Sequence, residues 1–179
     1  MKRLILACSI AIALVGVVRI GEGRAAPMQS SRERLETEVR HQLYPLVGVF
    51  DNVTFSVEAD GTVTLSGQVR EPTVKQHVEQ DAMRVDGVRA VKNQIEVLPL
   101  SPSDDELRVR IYRAIYSQQG LQRYAVQVNP PIHIIVKNGA VTLEGIVANK
   151  LESTQADLAA NQVSGAFSVT NNLRVEREA

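Results

Sequence analysis

An internal repeat is the feature of this sequence that most constrains its fold. When residues 61–97 are set beside residues 139–175, a shift of 78, 12 of the 37 pairs are identical without a gap, whereas composition alone predicts roughly two. The identical pairs are Gly61/Gly139, Val63/Val141, Thr64/Thr142, Leu65/Leu143, Gly67/Gly145, Val69/Val147, Ala82/Ala160, Val85/Val163, Gly87/Gly165, Val91/Val169, Asn93/Asn171 and Val97/Val175. Upstream, apolar residues match at a shift of 72: Leu35/Leu107, Val39/Ile111 and Leu43/Ile115. The second unit is therefore longer than the first after its first helix.

Each unit contains the pattern helix, strand, strand, helix, strand. Apolar residues spaced at i, i+4 and i+8 predict the first helices, and strict alternation predicts the strands. Asp60-Gly61 and Asn138-Gly139 are hairpin signals, and Pro72 suits the first turn of a helix. The predicted helices are 32–44, 72–85, 104–118 and 150–163, and the predicted strands are 53–57, 63–65, 91–97, 132–136, 141–143 and 169–175.

The sequence therefore predicts an α+β fold of two tandem α-β-β-α-β units, each with a three-stranded sheet and two helices on one face. We place the units at 30–98 and 104–177, joined by a linker at 99–103. A unit of about 70 residues has a marginal core, so the two are expected to pack together. The second helices are expected to bury Val74, Val78, Ala82, Val85, Leu151, Leu158 and Val163.

The N-terminal segment differs in kind from the repeat. Lys2 and Arg3 precede an apolar run from residue 4 to 18 and a small-residue site, which predicts a secretory signal peptide at 1–25 and a periplasmic protein. Cleavage would remove the only cysteine, Cys8; lipidation of Cys8 is the alternative. It would also remove four of 20 basic and one of 20 acidic residues, leaving 16 and 19. Such a weakly acidic chain is a poor nucleic-acid binder.

The chemistry-bearing residues form no catalytic pattern. His41, His77 and His133 lack neighbours at metal-ligand spacing, and no nucleophile motif is present. No enzyme activity, metal or cofactor is therefore predicted. Six repeated glycines fit no phosphate-binding motif, and we interpret them as structural turn residues: Gly61, Gly67, Gly87, Gly139, Gly145 and Gly165.

The repeated pattern resembles a known family. Gly-x-Val-Thr-Leu-x-Gly-x-Val, followed by a helix and then Gly-(Val/Ala)-x-x-Val-x-Asn-x-(Ile/Leu)-x-Val, is similar to the BON domain of bacterial osmotically inducible and nodulation proteins, and both copies carry it. The resemblance implies a small α/β sandwich without catalytic activity, a role at the cell envelope under osmotic or other stress, and attachment to phospholipid. The longer stretch 120–131 departs from the pattern.

The first helix of the second unit differs from its counterpart on its outer face. At 100° per residue, Tyr112 and Tyr116 fall about 140° and 180° from Leu107, which predicts that they point away from their own core. Arg108, Arg110 and Arg113 form a basic run on three sides of this helix, and Arg123 and Tyr124 follow in the longer segment. We predict a lipid- or partner-contact surface formed by Val109, Tyr112, Arg113, Tyr116, Arg123 and Tyr124.

Three interpretations of this surface remain open. Tyrosine with arginine suits an anionic phospholipid surface, since the ring is amphipathic and the guanidinium pairs with phosphate. The same residues suit a protein interface, and the same order of helices and strands occurs in ring-building domains of secretion systems, so an envelope protein is an alternative partner. Packing against the first unit is the third. The sheet face with His133 and Ile135 is expected to be free for docking. The oligomeric state is not predicted.

Overall fold

The computed structural model describes residues 27–127 and 129–176, so the predicted signal segment lies outside the described residues. The two α+β units are confirmed, as is their repeat. The first unit contains α1 (Pro27–Leu43), a 3-10 turn (Tyr44–Leu46), β1 (Asn52–Val57), β2 (Thr62–Val69), α2 (Pro72–Met83), β3 (Ala90–Asn93) and β4 (Glu96–Val97). The second contains α3 (Pro102–Tyr116), α4 (Gln122–Ala125), β5 (Ile132–Lys137), β6 (Ala140–Val147), α5 (Lys150–Asn161), β7 (Ser168–Asn171) and β8 (Arg174–Val175).

The two sheets have the same topology. In the first sheet, β2 is central. It pairs antiparallel with β1, in a register that places Val57 opposite Val63, and parallel with β3 and β4. In the second, β6 is central between β5 on one side and β7 and β8 on the other. Hairpins supply the antiparallel pairs, and the second helix of each unit provides the crossover to the parallel strand. The central strands carry the apolar residues that the helices cover.

The last strand of each unit is broken, whereas the sequence predicts one continuous strand. Asn93 Oδ1 accepts a hydrogen bond from Ile95 N at 3.1 Å, and Asn171 Oδ1 accepts one from Leu173 N at 3.0 Å. This local turn interrupts the ladder, as asparagine side chains commonly do. The amide nitrogens donate to the second helices, at Lys75 O and Ser153 O, both at 3.1 Å. The repeated asparagine therefore joins the last strand to the second helix in both units.

The core of α5 differs from the prediction. Leu151 and Leu158 are 66% and 56% exposed, so their placement in the core is wrong. The buried stripe of α5 consists instead of smaller residues at the positions that correspond to the buried side of α2: Glu152, Ser153, Ala156, Ala159 and Ala160. The phase of a helix relative to its sheet decides which residues are buried, and the two leucines lie on the opposite face.

The six repeated glycines all have positive φ angles. The requirement is clearest at Gly67 and Gly145, with φ of 115° and 126°. A Cβ there would lie 1.9 Å from the carbonyl oxygens of Asn52 and Pro131 on the neighbouring strand. Only glycine allows the two backbones to approach so closely.

Replacement of the repeated asparagine by alanine should destabilise the protein. Asn171→Ala leaves the Leu173 N–H without its side-chain acceptor and removes the hydrogen bond to Ser153 O, which costs about 1–3 kcal/mol of unfolding free energy in urea titrations. The neighbouring Asn172→Ala is the control, because Asn172 is exposed and bonds only Glu144 through its side chain, so a change within about 0.5 kcal/mol is expected. Equal losses in the two variants would contradict this role.

Candidate functional site

The start of α3 is fixed to the hairpin of its own unit. Ser101 caps the helix by accepting a hydrogen bond from Asp104 N at 3.2 Å. The buried Asp104 carboxylate accepts hydrogen bonds from Asn138 N at 2.8 Å and from Gly139 N at 2.9 Å. Two charge-assisted bonds thus hold the first turn of α3 against the β5–β6 turn.

Arg108 is buried, which corrects its placement in an exposed basic run. Its side chain is 2% exposed, Nη2 donates to Val136 O at 2.7 Å, and Nη1 pairs with Asp105. Burial lowers the pKa of Arg108, while Asp105 opposes this shift. Asp105 also pairs with Arg70 of the first unit, where Nε lies 3.1 Å from Oδ1. Arg108 bonds within the second unit, and its partner Asp105 connects it to Arg70 of the first unit.

The two tyrosines of α3 do not form an open face. Tyr116 is 6% exposed and its hydroxyl donates to Ile132 O at 3.1 Å, so the prediction that it points away from the core is wrong. Burial raises its pKa. Tyr112 is half-buried; its ring centroid lies 4.5 Å from that of Tyr116 and 5.7 Å from that of Phe50 in the first unit, edge to face with Phe50. The helical wheel identifies the apolar stripe that faces the sheet. It gives no information on the longer segment and the first unit, which cover a second side of α3.

The sheet face with His133 and Ile135 is also covered, contrary to the expectation that it is free. Ile135 is 7% exposed, and β1 of the first unit lies beside β5. Desolvation lowers the pKa of His133, while the carbonyl and carboxylate of Asp51 and the carboxylate of Glu144, the cross-strand neighbour of His133, oppose the shift. As pH falls, the imidazole of the unfolded protein takes up a proton at a higher pH than that of the folded protein. His133 therefore lowers the free energy of unfolding as pH falls below about 6.5.

Arg123 and Tyr124 both bond to Glu152 within the second unit, but only Tyr124 is buried; the Arg123 side chain is 55% exposed. Tyr124 is 9% exposed and its hydroxyl donates to Glu152 Oε2 at 2.7 Å; Arg123 Nη2 lies 2.6 Å from Glu152 Oε1. Glu152 also accepts hydrogen bonds from Ala148 N and from the Asn149 side chain, both at 3.1 Å. This buried carboxylate fastens α4 to the start of α5, at the place where the first unit has Val74.

The exposed part of the candidate surface is smaller than predicted and has a different composition. Arg113 and Arg123 are exposed and Val109 is half-buried, and the neighbouring Arg110 is exposed as well. Sequence reasoning missed Phe167, which is 87% exposed and lies against Gly139 close to the start of α3. The signal was available in the repeat, because the corresponding residue of the first unit is Arg89.

Within residues 27–127 and 129–176, no three or more histidine, cysteine or carboxylate residues are grouped as metal ligands. No helix of this described part combines the length and apolar character that crossing a membrane requires.

The two tyrosines at corresponding positions should respond differently to substitution. Tyr116→Ser removes a buried ring and should cost about 3–5 kcal/mol of unfolding free energy, and Tyr116→Phe about 1 kcal/mol through its hydroxyl bond. Tyr44→Ser is the matched control; Tyr44 is 47% exposed, so a much smaller loss is expected in the same urea titrations. A small loss for Tyr116→Ser would mean that this ring is not part of the core.

The BON domain family matches twice, at residues 31–99 and 103–177. No curated protein matches the chain. Two solved structures of CdsD, a structural protein of the type III secretion system of Chlamydia trachomatis, are similar to this chain. Each is 12% identical to it, with a TM-score of 0.32, and each alignment covers 80% of this chain. The alignments cover 98% of the first structure, which is of the C-terminal domain, and 92% of the second. This likeness is too low to inform fold or function. The two family matches span nearly all of the described chain, which therefore belongs to the BON-domain family.

Proposed function

We propose that this protein is a non-catalytic, exported envelope protein that binds the surface of anionic phospholipid membranes and protects the envelope under osmotic or other stress. BON domains are associated with the envelope or with membranes and are generally not enzymes. The observation that carries the lipid proposal is the pair of exposed arginines, Arg110 and Arg113, on the outer side of α3. Guanidinium groups are well suited to phosphate oxygens.

Two of the three acids near these arginines have other partners, which supports a locally positive surface. Asp104 is buried against backbone N–H groups, and Asp105 is paired with Arg70 and Arg108. Glu106 is the exposed acid of this turn. At the corresponding positions the first unit has Glu38 and His41 in place of the two arginines. The second unit is therefore the better candidate for contact with an anionic surface.

The expected attachment is weak and depends on salt. Each basic residue near an anionic surface contributes roughly 1 kcal/mol, and charges are screened over about 8 Å at physiological ionic strength. Two arginines alone give a dissociation constant far above the micromolar range. Stable attachment therefore needs an apolar contribution or several copies on one membrane.

Vesicle flotation tests the proposal. Protein lacking residues 1–25, so that the apolar segment cannot itself insert, should float with vesicles that contain anionic lipid and should do so less with purely zwitterionic vesicles or at high salt. Arg113→Glu should weaken the anionic binding by roughly 30-fold, because reversing a charge changes two interactions of about 1 kcal/mol each.

Arg34→Glu is the matched control, since it makes the same change of net charge at an exposed position of α1 in the first unit. We expect its effect to stay within about threefold. Failure of the unmodified protein to float with anionic vesicles would contradict the lipid proposal. Crosslinking to an envelope protein in that case would favour the alternative, a protein-interaction module.

A further inference from the structure

The most exposed aromatic side chain of the described residues is Phe167, in the loop between α5 and β7. Its side chain is 87% exposed, whereas Tyr112 is half-buried and Tyr116 and Tyr124 are buried. A large apolar side chain held in water has no role in the core of its own unit. This residue therefore calls for an explanation outside the folding of the second unit.

The backbone holds Phe167 in a defined place. Phe167 N donates to Gly139 O at 2.9 Å, and its ring lies so close to Gly139 that a Cβ on that glycine would be 2.6 Å from the nearest ring carbon. The first unit repeats the arrangement: Arg89 N donates to Gly61 O at 2.9 Å, and the Arg89 stem covers Gly61. The fold thus presents a long side chain beside the hairpin in both units, and the second unit presents an aromatic one.

An arginine lies close to the loop that carries Phe167. The Arg110 guanidinium lies against Gly165, where a Cβ would be 3.2 Å from Nη2, two residues before Phe167. Arg110 and Arg113 also line one shallow groove on α3 together with Val109, Asp105 and Glu106, and Asp105 is paired with Arg70 and Arg108. Interfacial segments of membrane-binding proteins combine an apolar side chain for the acyl boundary with cations for the phosphates. The hairpin end of the second unit carries this combination, and the hairpin end of the first carries Arg89 and Glu38 instead.

We propose that Phe167 inserts into the boundary between headgroups and acyl chains of an anionic bilayer, with Arg110 beside it at the level of the phosphates. The inference rests on the proposed function and names the side chain that supplies its apolar contribution. It places the contact at the hairpin end of the second unit, away from the tyrosines that pack inside. An exposed phenylalanine contributes little to the free energy of unfolding. Substitutions of Phe167 should therefore change membrane binding without changing stability.

The test is binding to vesicles of phosphatidylcholine with and without phosphatidylglycerol, using protein lacking residues 1–25. Phe167→Ser should weaken binding to the anionic vesicles at least about tenfold, because burial of one large apolar side chain accounts for that factor or more. Its melting temperature should stay unchanged. Leu100→Ser is the matched control: Leu100 is 90% exposed in the linker, and its loss should change binding less than about twofold.

Phe167→Trp supplies an independent measurement, since the chain contains no tryptophan. This variant should bind like the unmodified protein, and its fluorescence should shift to the blue on addition of anionic vesicles. Unchanged binding of Phe167→Ser, or a tryptophan that stays in water while the protein is bound, would overturn the inference and leave the proposed function standing. Loss of anionic binding by the unmodified protein would overturn both.

Discussion

The buried guanidinium of Arg108 is the interaction on which the rest of the arrangement depends. An arginine keeps its proton even when burial lowers its pKa, so a position with 2% exposure requires partners for the charge. Val136 O and Asp105 supply them, and Asp105 extends the contact to Arg70 in the first unit. Buried ion pairs often contribute little net stability, yet their geometry is demanding. This set fixes the rotation of α3, which turns Tyr116 inward and Arg113 outward.

The repeat made much of the fold predictable from sequence. Identical glycines and asparagines mark the same turns in both units, and alternation of apolar residues marks the strands, because these signals are local. The break of the last strand was missed although its cause, Asn93 or Asn171, was visible in the sequence. The size of Leu151 and Leu158 favours them as core residues of α5, whereas the buried positions are Ala156 and Ala160, which the repeat aligns with Val78 and Ala82.

The candidate surface was less predictable because it depends on contacts between distant segments. A helical wheel places Tyr116 opposite Leu107, but it contains no information on α4 or on Phe50 of the first unit. Arg108 appears in sequence as one more surface arginine, and only the fold shows the carbonyl that it reaches. Phe167 has no periodicity that marks it as a surface residue, and only its replacement of Arg89 in the repeat distinguishes it.

The two copies diverged in a consistent direction. Inside the second unit, carboxylates took positions where the first unit has Arg32 and Val74: Asp104 holds the hairpin turn and Glu152 holds the longer segment. Outside, Phe167 took the position of Arg89. The first unit retains an ordinary charged surface and contacts the second through Arg70 and Phe50. Under the proposed function, the first unit supports the second, and the second carries the surface proposed to contact the membrane.

A pair of spin labels tests this division of roles directly. The only cysteine, Cys8, lies in the segment removed for the experiment, so Ser168→Cys and Ala90→Cys each give one label at corresponding exposed positions of the two units. Collision with oxygen and with a water-soluble nickel complex reports whether a label is in lipid or in water. The account predicts that anionic vesicles move the label at 168 toward lipid and leave the label at 90 in water. A vesicle-bound protein whose label at 168 stays in water, or whose label at 90 enters lipid, would contradict it.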